Sequence, residues 1–529
     1  MAVLFLFIAL FALINMLLEY KRDLMMMQQN SYRCERYMKW LSTSGDTTSI
    51  IRLFGMGAFL FAFVAFASHL MGMVAIIVFD CFCGTRLLSA KYKKPLVWTA
   101  RAKRIFSVMC ALSAVVIALV AIFYGDASLT NIAFLTAVSA TGLYAASHVV
   151  IMAAVKLLQP VENNINKGYY NDAARILKGV SGLKVIGITG SYGKTSTKHY
   201  LNRILCEQFN VLMTPGSYNT TMGVIRTVRE MMQPYTEIFI CEMGAKNIGD
   251  IKEICDLVHP QVGLVTAGGE QHLESFKSIE NVQKTKFELV DSLPADGVAF
   301  INNDFPFVAN RQVDNVECHR YSISGENGGE YFVKSMVFTP DGTDFVLSAP
   351  SGEYDFHTRL IGEFNISNLI PAIAVAMYLG MSMDKIKYAV SRIEQVEHRL
   401  SLKRIPGSYT IIDDAFNSNP DGSRMALDVL ASMTGGKRFV ITPGMIELGE
   451  KQYEYNKRLG EKIASSVDVA IIVGQYNHEA IMDGLKAGNM PEDKVYSVAS
   501  FNDAYALLTK MAGAGDTVLL ENDLPDTFK

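Results

Sequence analysis

The residues best suited to chemistry lie in one run, Gly187–Ser196, which reads GITGSYGKTS. It follows an apolar, strand-like segment, Leu183 to Ile188, and leads into a helix-like segment, Thr197 to Leu205. A glycine-rich turn between a strand and a helix cradles a phosphate, because backbone amides and the helix dipole point at the anion. In such a loop Lys194 would reach the β- and γ-phosphates of ATP, and the Thr195 hydroxyl would hold Mg²⁺.

The glycine spacing departs from the strict phosphate-loop pattern. That pattern wants glycine at position 188, where this chain has Ile188 and carries Gly187 and Gly190 instead. The alternative interpretation is a glycine-rich surface turn followed by a chance Lys-Thr. The strand–turn–helix context favours the phosphate loop, so the sequence predicts binding of ATP and Mg²⁺. The predicted nucleotide contacts are Gly190, Ser191, Gly193, Lys194, Thr195 and Ser196.

Two more polar residues follow strand-like segments. Glu242 comes directly after Glu237–Cys241, and His272 lies shortly after Gln261–Thr266. Ligands of open α/β sheets collect at the carboxyl ends of the strands, where both residues and Thr195 are expected. A carboxylate, an imidazole and a hydroxyl could together hold Mg²⁺ beside the γ-phosphate. Each residue taken alone is also compatible with an ordinary loop position.

The first 160 residues are unusually apolar. The third of four apolar runs is 20 residues long without a charge, which is enough to span hydrocarbon. The first run resembles a signal-peptide core but lacks a basic start and a small-residue cleavage site, so we expect a retained anchor. The four runs are Ala2–Leu18, Leu53–Phe82, Ile105–Tyr124 and Ile132–Val155.

The second run, of about 30 residues, is too long for one span of roughly 20. Segments 19–52 and 83–104 on its two sides are both rich in Lys and Arg, whereas connection 125–129 has neither. Cytoplasmic loops are the basic ones, so residues 53–82 are predicted to enter the membrane and return as a hairpin. This gives about five crossings of a plasma membrane with the catalytic part in the cytoplasm. One long tilted span, with six basic residues outside, is the alternative.

Charge and cysteine content exclude some classes of function. The net charge of −3 gives no indication of a nucleic-acid partner. The eight cysteines have no zinc or redox spacing, so they are expected to be reduced thiols of a protein that faces the cytosol.

Several motifs, in order from about Leu183 to Val473, resemble the Mur ligases, ATP-dependent amide-bond-forming enzymes of bacterial cell-wall synthesis. The resemblance is strongest to the branch that adds a D-alanyl-D-alanine dipeptide. Beside the phosphate loop, the matching segments are Thr214–Gly223, Glu242–Ala245, His272–Glu274, Asn302–Asp304, Gly362–Asn368, Asp413–Pro420 and Gly444–Gly449.

The resemblance implies roles for further residues. Glu242 and His272 match metal-binding positions, and Lys286 matches the lysine that family members carbamylate. The carbamylated Lys286 would then be a metal ligand together with Thr195, Glu242 and His272. Lys194, His272 and carbamylated Lys286 are the implied catalytic residues. Nucleotide contacts are implied for Asn302, Asn365, Arg399 and Asp413, and substrate contacts for Asn219, Thr220 and Asn417.

Three departures from the family pattern bear on the substrate. The apolar region occupies the place of the family's UDP-binding domain, Thr266-Ala267 replaces a Thr-Asn type pair, and Leu519–Phe528 replaces a Lys-Gly-Ser-Arg segment. The implied partners are therefore the membrane, a nucleotide- or lipid-linked cell-wall precursor, and an amino acid or dipeptide acceptor. A ligase for another polymer, such as poly-γ-glutamate, and a non-catalytic nucleotide-binding scaffold are the rival interpretations.

We expect three regions of different class. Residues 1–160 are predicted to form transmembrane helices. Residues 161–394 are predicted to form an α/β phosphate-loop ATPase domain with a parallel sheet, because strands and amphipathic helices alternate there. Residues 395–529 are predicted to form a smaller α/β, Rossmann-like domain with strands at Tyr409–Asp413, Arg438–Thr442, Val467–Val473 and Thr517–Leu520.

Overall fold

The computed structural model describes residues 2–43, 50–89, 92, 94–124, 128–269, 276–339, 342–404, 407–415 and 418–523. The chain forms two compact units. One contains the residues up to Asn166 and the other is Lys167–Asp523.

The first unit is helical. Its helices are α1 (Ala2–Gln29), α2 (Cys34–Thr43), α3 (Ile50–Val64), α4 (His69–Ser89), α5 (Ala100–Tyr124), α6 (Leu129–Ala145) and the first part of α7 (Ser147–Gly179). Among the described residues, α1, α4 and α5 are long and apolar enough to cross a membrane. The pair α6 and α7, bent by 77°, would count as a fourth if it forms one span, and α3 is a shorter apolar helix.

The long apolar run 53–82 is broken in its middle. A 3₁₀ turn at Ala65–Ala67 separates α3 from α4. The two helices pack on each other, with the rings of Phe54 and Phe79 6.0 Å apart. A Cβ on Gly55 would lie 2.5 Å from the Phe79 ring, so only glycine allows this approach. The run is thus two packed helices, while the number of membrane crossings stays a prediction.

Charged groups of the first unit are buried between its helices. Arg52 donates to Glu19 at 2.9 Å and to Asp23 at 3.2 Å, and it contacts His148 at 2.7 Å. All three charged side chains are almost fully buried. Buried charges must be paired, and in apolar helices such pairs face the interior. The outward side chains are correspondingly apolar, for example Phe123 with 94% of its surface exposed.

The second unit contains two sheets. The first has nine strands: β1 (Lys184–Thr189), β2 (Val211–Met213), β3 (Ile238–Glu242), β4 (Val262–Val265), β5 (Val298–Asn302), β6 (Glu317–Ser322), β7 (Tyr331–Thr339), β8 (Gly342–Ala349) and β9 (Gly352–Thr358). Their order is β2-β3-β1-β4-β5-β6-β7-β8-β9. The sheet is parallel from β2 to β7, and β8 and β9 add antiparallel hairpins. The expected parallel sheet is therefore part of a larger mixed one.

Helices cover this sheet. They are α8 (Lys194–Leu205), α9 (Thr221–Met231), α10 (Asp250–Val258), α11 (Ile279–Asp291), the short α12 (Pro306–Ala309), α13 (Glu363–Tyr378) and α14 (Met383–Ser391). Strands β3, β4 and β5 are buried along their whole length, which explains their nearly continuous apolar sequences.

The second sheet has six strands: β10 (Ser401–Arg404), β11 (Thr410–Asp414), β12 (Arg438–Thr442), β13 (Val469–Val473), β14 (Val495–Val498) and β15 (Thr517–Glu521). Their order is β10-β11-β15-β12-β13-β14, with only β10 antiparallel. The helices α15 (Pro420–Ser432), α16 (Gln452–Ser466), α17 (His478–Ala487) and α18 (Phe501–Met511) complete this layer. The four predicted strands are present, and the edge strands β10 and β14 are additional.

Helices α16 and α17 cross at two glycines, which generates a prediction about stability. A Cβ on Gly484 would meet the Lys457 carbonyl oxygen, and Gly460 lies directly opposite. Replacing Gly484 with alanine should destabilise the third region by about 1–3 kcal/mol, because the backbones must move apart. Hydrogen exchange of α16 and α17 in the purified chain measures this loss. Gly513→Ala is the control, since its Cβ would meet no atom within 4 Å.

Candidate active site

The phosphate loop joins β1 to α8, as the sequence predicts. Gly190 and Gly193 have φ of +148° and +82°, a backbone region that favours glycine. A Cβ on Gly190 would lie 2.9 Å from the Ala267 amide nitrogen, and one on Gly193 would meet the Asn368 side chain. The Ser191 amide donates to the Ala267 carbonyl at 2.6 Å, so the loop after β4 holds the cradle in place.

The Lys194 side chain folds back over the loop. Its Nζ donates to the carbonyls of Gly190 at 2.6 Å and Ser191 at 3.0 Å. Burial lowers the pKa of Lys194 to about 8. The ammonium is thus held at the mouth of the cradle, within reach of an anion that enters it.

Asn368, on α13, contributes an amide to the same cradle. It is 4% exposed, and its Nδ2 has no hydrogen-bond partner among the residues that the structure describes. A buried donor of this kind calls for an acceptor, such as a phosphate oxygen. The sequence motif includes Asn368, but only the position of α13 against Gly193 makes it a candidate ligand residue.

Glu242 ends β3 beside the phosphate loop and is 1% exposed. The Thr195 hydroxyl donates to its two oxygens at 3.1 and 3.2 Å, and Asn219 Nδ2 donates at 3.0 Å. Burial alone would raise the pKa of Glu242, but the charges of Lys198 and Lys194 and the hydrogen bonds outweigh it and lower the pKa. The carboxylate is therefore ionised and aimed at Thr195, as a magnesium ligand requires.

Lys198 is a residue of this site that the sequence analysis missed. Its ammonium lies 2.9 Å from Glu242 Oε2, and the two side chains are 0% and 1% exposed. A lysine on a helix usually extends into solvent. Its burial here follows from the packing of α8 against the end of β3, which the local sequence does not reveal.

Lys286 lies on α11 and is 3% exposed, with its Nζ 5.9 Å from the centre of the Phe276 ring. Burial, with a smaller contribution from the charge of Lys194, lowers its pKa to about 7. His272 lies outside the described residues. Among those described, no three His, Cys, Asp or Glu residues form a metal-binding group. Thr195 and Glu242 fit Mg²⁺, whereas Lys286 would fit only as a carbamate.

Two asparagines predicted to contact the nucleotide make internal hydrogen bonds. Asn302 accepts from the Asp304 amide at 2.8 Å. Asn365 accepts from the Tyr200 hydroxyl at 2.9 Å and donates to the Ile361 carbonyl at 2.9 Å, which ties α13 to α8. Their contacts support the loops around the phosphate cradle, and any contact with a nucleotide stays a prediction.

Two residues from the start of the third region have different surroundings. Arg399 Nη2 lies 3.5 Å from Thr195 Oγ1, so it reaches the phosphate side of the site. Asp413 accepts from His398 at 2.9 Å and from Lys403 at 2.9 Å, and these hydrogen bonds lower its pKa although burial alone would raise it. The neighbouring Asp414 has a pKa raised to about 7 by burial and by repulsion from Glu521.

Of the predicted substrate residues, Asn219 belongs to the site through Glu242, as described above. The Thr220 hydroxyl caps α9 by accepting from the Gly223 amide at 3.3 Å. Asn417 lies outside the described residues. Ser196 is buried at the first turn of α8, beneath the cradle.

A cavity of about 680 Å³ opens beside Thr195. Its walls are one face of α8, the loop after β2, and the link between α14 and β10. Three arginines line it against two glutamates, so its lining favours an anionic ligand: Arg203, Arg392 and Arg399 against Glu394 and Glu397.

Besides the contact of Arg399 with Thr195, two further side-chain contacts between described residues join the third region to the central sheet domain. The Tyr192 hydroxyl, in the phosphate loop, donates to Asp421 Oδ2 at 3.0 Å. Lys246 pairs with Glu447 at 3.0 Å. The phosphate cradle, the cavity and the third region thus surround one site.

Two parts of the second unit match known protein families. Residues 188–376 match the model of the Mur ligase middle domain, and residues 398–521 match that of the Mur ligase, glutamate ligase domain. A UDP-N-acetylmuramoyl-tripeptide–D-alanyl-D-alanine ligase of Mycobacterium tuberculosis is 30% identical over 374 residues, which cover 66% of this chain and 72% of that protein.

Solved structures of Mur ligases are also similar to this chain. A crystal structure of MurF from Acinetobacter baumannii is 26% identical, covers 67% of this chain and 76% of its own, and has a TM-score of 0.60. The chain also shares the fold of a MurF ligase from Thermotoga maritima that was solved in complex with ADP. The two are 24% identical, and the match covers 68% of this chain and 80% of that one with a TM-score of 0.61. The chain therefore belongs to the Mur ligase family of ATP-dependent ligases.

Proposed function

We propose that this chain joins a D-alanyl-D-alanine dipeptide to the carboxylate of a muramoyl tripeptide in cell-wall precursor synthesis. The observation that carries the proposal is the meeting of the phosphate cradle, the buried Glu242 carboxylate and the buried Lys286 at one edge of the first sheet. Relatives that cover 64% and 66% of this chain are named as ligases of this specificity. A MurF ligase of the same fold was solved with ADP, which supports ATP as the nucleotide.

The proposed chemistry is activation of a carboxylate. Transfer of the γ-phosphoryl group of ATP to the donor carboxylate makes an acyl phosphate, from which the acceptor amine displaces phosphate. Mg²⁺ would supply charge neutralisation on the phosphates. Lys194 would stabilise the transferring phosphoryl group as a point charge, and Arg399 would add a second cation from the third region.

Thr195 and Glu242 would hold Mg²⁺, together with His272 and a carbamylated Lys286. Carbamylation needs a neutral amine, and a lysine whose pKa is about 7 supplies one at physiological pH. The cavity beside Thr195 would receive the anionic donor, with Asn219, Thr220 and Asn417 near its reacting end. Contacts of the third region with Tyr192 would exclude water, which otherwise hydrolyses the acyl phosphate.

We further propose that the first unit anchors the enzyme in the plasma membrane of a bacterium, with the second unit in the cytoplasm. Its apolar outer surfaces and its inward charges support this. Ahead of residue 188, where the family model begins to match, the chain forms these apolar helices. A lipid-linked donor would gain local concentration from such an anchor. The alternative is a donor linked to UDP, and the experiment below compares the two.

The first prediction tests the activity. Purified enzyme, given ATP, Mg²⁺, D-alanyl-D-alanine and either a UDP-linked or a lipid-linked muramoyl tripeptide, should form the pentapeptide, identified by mass spectrometry. Lys194→Ala should lose at least about 100-fold in product formation, because the phosphoryl group loses its point charge. Lys252→Ala, on the exposed face of α10, should not. Incorporation of glutamate instead of the dipeptide would identify another polymer ligase, and no product from any pair would contradict the proposal.

The second prediction concerns Lys286. Lys286→Ala should lose activity and regain part of it with added formate or acetate, because a small carboxylate can replace the carbamate. Wild-type enzyme from which the carbamate has been removed should regain activity with added bicarbonate. This recovery should increase as the pH rises through about 7, because the Lys286 amine then becomes neutral. Lys284→Ala, two residues away and exposed, is the matched control. A Lys286→Ala enzyme with full activity would refute the carbamate.

The third prediction concerns topology. Reporter fusions or labelling of introduced cysteines should place residues 19–52, 83–104 and everything after about 156 on the cytoplasmic side, and 125–129 outside. The physical reason is the retention of Lys and Arg in the cytoplasm. Labelling of residue 30 from outside would instead favour a single span for 53–82.

A further inference from the structure

Lys198 contacts both the Glu242 carboxylate and the loop that follows β2. Besides its ion pair with Glu242, its Nζ donates to the Gly216 carbonyl at 2.6 Å. Gly216 belongs to the loop Thr214–Asn219, which joins β2 to α9. One buried ammonium therefore spans the metal carboxylate and the loop.

The loop is also attached to Glu242 at both of its ends. Asn219 Nδ2 donates to Glu242 at 3.0 Å, and the Thr214 hydroxyl accepts from the Glu242 amide at 3.1 Å. Between these attachments Gly216 and Ser217 are exposed and line the cavity beside Thr195. The contact from Lys198 holds this cavity wall at Gly216, between the two attachments.

The backbone of Gly216 is arranged for this contact. Its φ of +50° lies in the left-handed region, which turns the carbonyl toward Lys198 at no steric cost for glycine. A Cβ there would meet no atom within 4 Å, so an alanine would be strained in conformation without a clash. The contact can therefore be perturbed from either end.

We propose that Lys198 is a positioning residue that couples the metal carboxylate to the donor loop, so that the ammonium sets the wall of the anionic donor's cavity at a fixed distance from Glu242. The inference rests on the proposed function, because it assigns the cavity to the donor. Lys198 acts through Glu242 and Gly216 and touches neither nucleotide nor donor itself.

Lys198→Met keeps the methylene chain and removes the ammonium. The KM for the muramoyl tripeptide should rise about tenfold, as expected for a misplaced positioning group, while the KM for ATP changes less than about twofold. Mn²⁺ with ADP, measured by electron paramagnetic resonance, should bind the variant at least as tightly as the wild type. Thr195 and Asn219 still orient Glu242 there, and a competing cation has left.

Gly216→Ala perturbs the same contact without touching the buried ion pair. It should raise the KM for the tripeptide by a similar factor, and the double variant should be no worse than either single one. Lys252→Met is the matched control for loss of an exposed lysine. Additive effects of the two variants, equal changes in both KM values, or loss of Mn²⁺ binding in Lys198→Met would each overturn the coupling.

A loop reporter tests the inference without any donor. The only two tryptophans, Trp40 and Trp98, lie in the first unit, so Ser217→Trp adds the sole tryptophan of the second unit. Its fluorescence anisotropy should fall when Lys198 is replaced by methionine or Gly216 by alanine, because the loop is released. Unchanged anisotropy in both would contradict the inference. Absence of product from the wild type would instead contradict the proposed function and leave this measurement valid.

Discussion

The buried charge of Glu242 is the constraint on which the site depends. A carboxylate that is 1% exposed stays ionised only if cations and donors replace its lost water. Lys198 and Thr195, both on α8, and Asn219, in the loop after β2, do so. The phosphate loop, the end of β3 and the loop after β2 are thus held together by one group. A cation such as Mg²⁺ would meet a site whose geometry already exists, so little reorganisation would be needed.

The site also concentrates positive charge where phosphates would bind. Lys194 is half-buried and Lys286 is buried, and each has a lowered pKa. Arg399 adds a third cation from the other sheet domain. Such a cluster is unfavourable when empty and becomes favourable when triphosphate and carboxylate groups enter it. The arrangement suits a reaction in which several anions must be brought together.

In the first unit the charged groups are paired inside and the outer surface is apolar. Its helices keep Arg52 paired with Glu19 and Asp23 inside, while their outer faces carry large apolar side chains. Interior pairing of charges lets apolar helices hold a defined arrangement without exposing polar groups to lipid. Anchoring and catalysis would then reside in separate units, each with its own core.

The sequence by itself determined the phosphate loop, the strands that lead to it and the family, because these features are local: glycine spacing, apolar strands and ordered motifs. It also predicted the break in the apolar run at 53–82 from the charges on its two sides. The burial of Lys198, Asn368 and Asp414 escaped it, although motifs include the last two, since a lysine, an asparagine or an aspartate has the same local pattern whether exposed or buried. Only the packing of α8, α13 and the second sheet removed these side chains from solvent, which paired Lys198 with Glu242 and left Asn368 Nδ2 without a hydrogen-bond partner among the described residues. Asn302 and Asn365 show the reverse, because their motif is recognisable in sequence while their hydrogen bonds to Asp304 and Tyr200 depend on tertiary contacts. Burial is a property of the whole fold, so the chemistry that depends on burial was decided there.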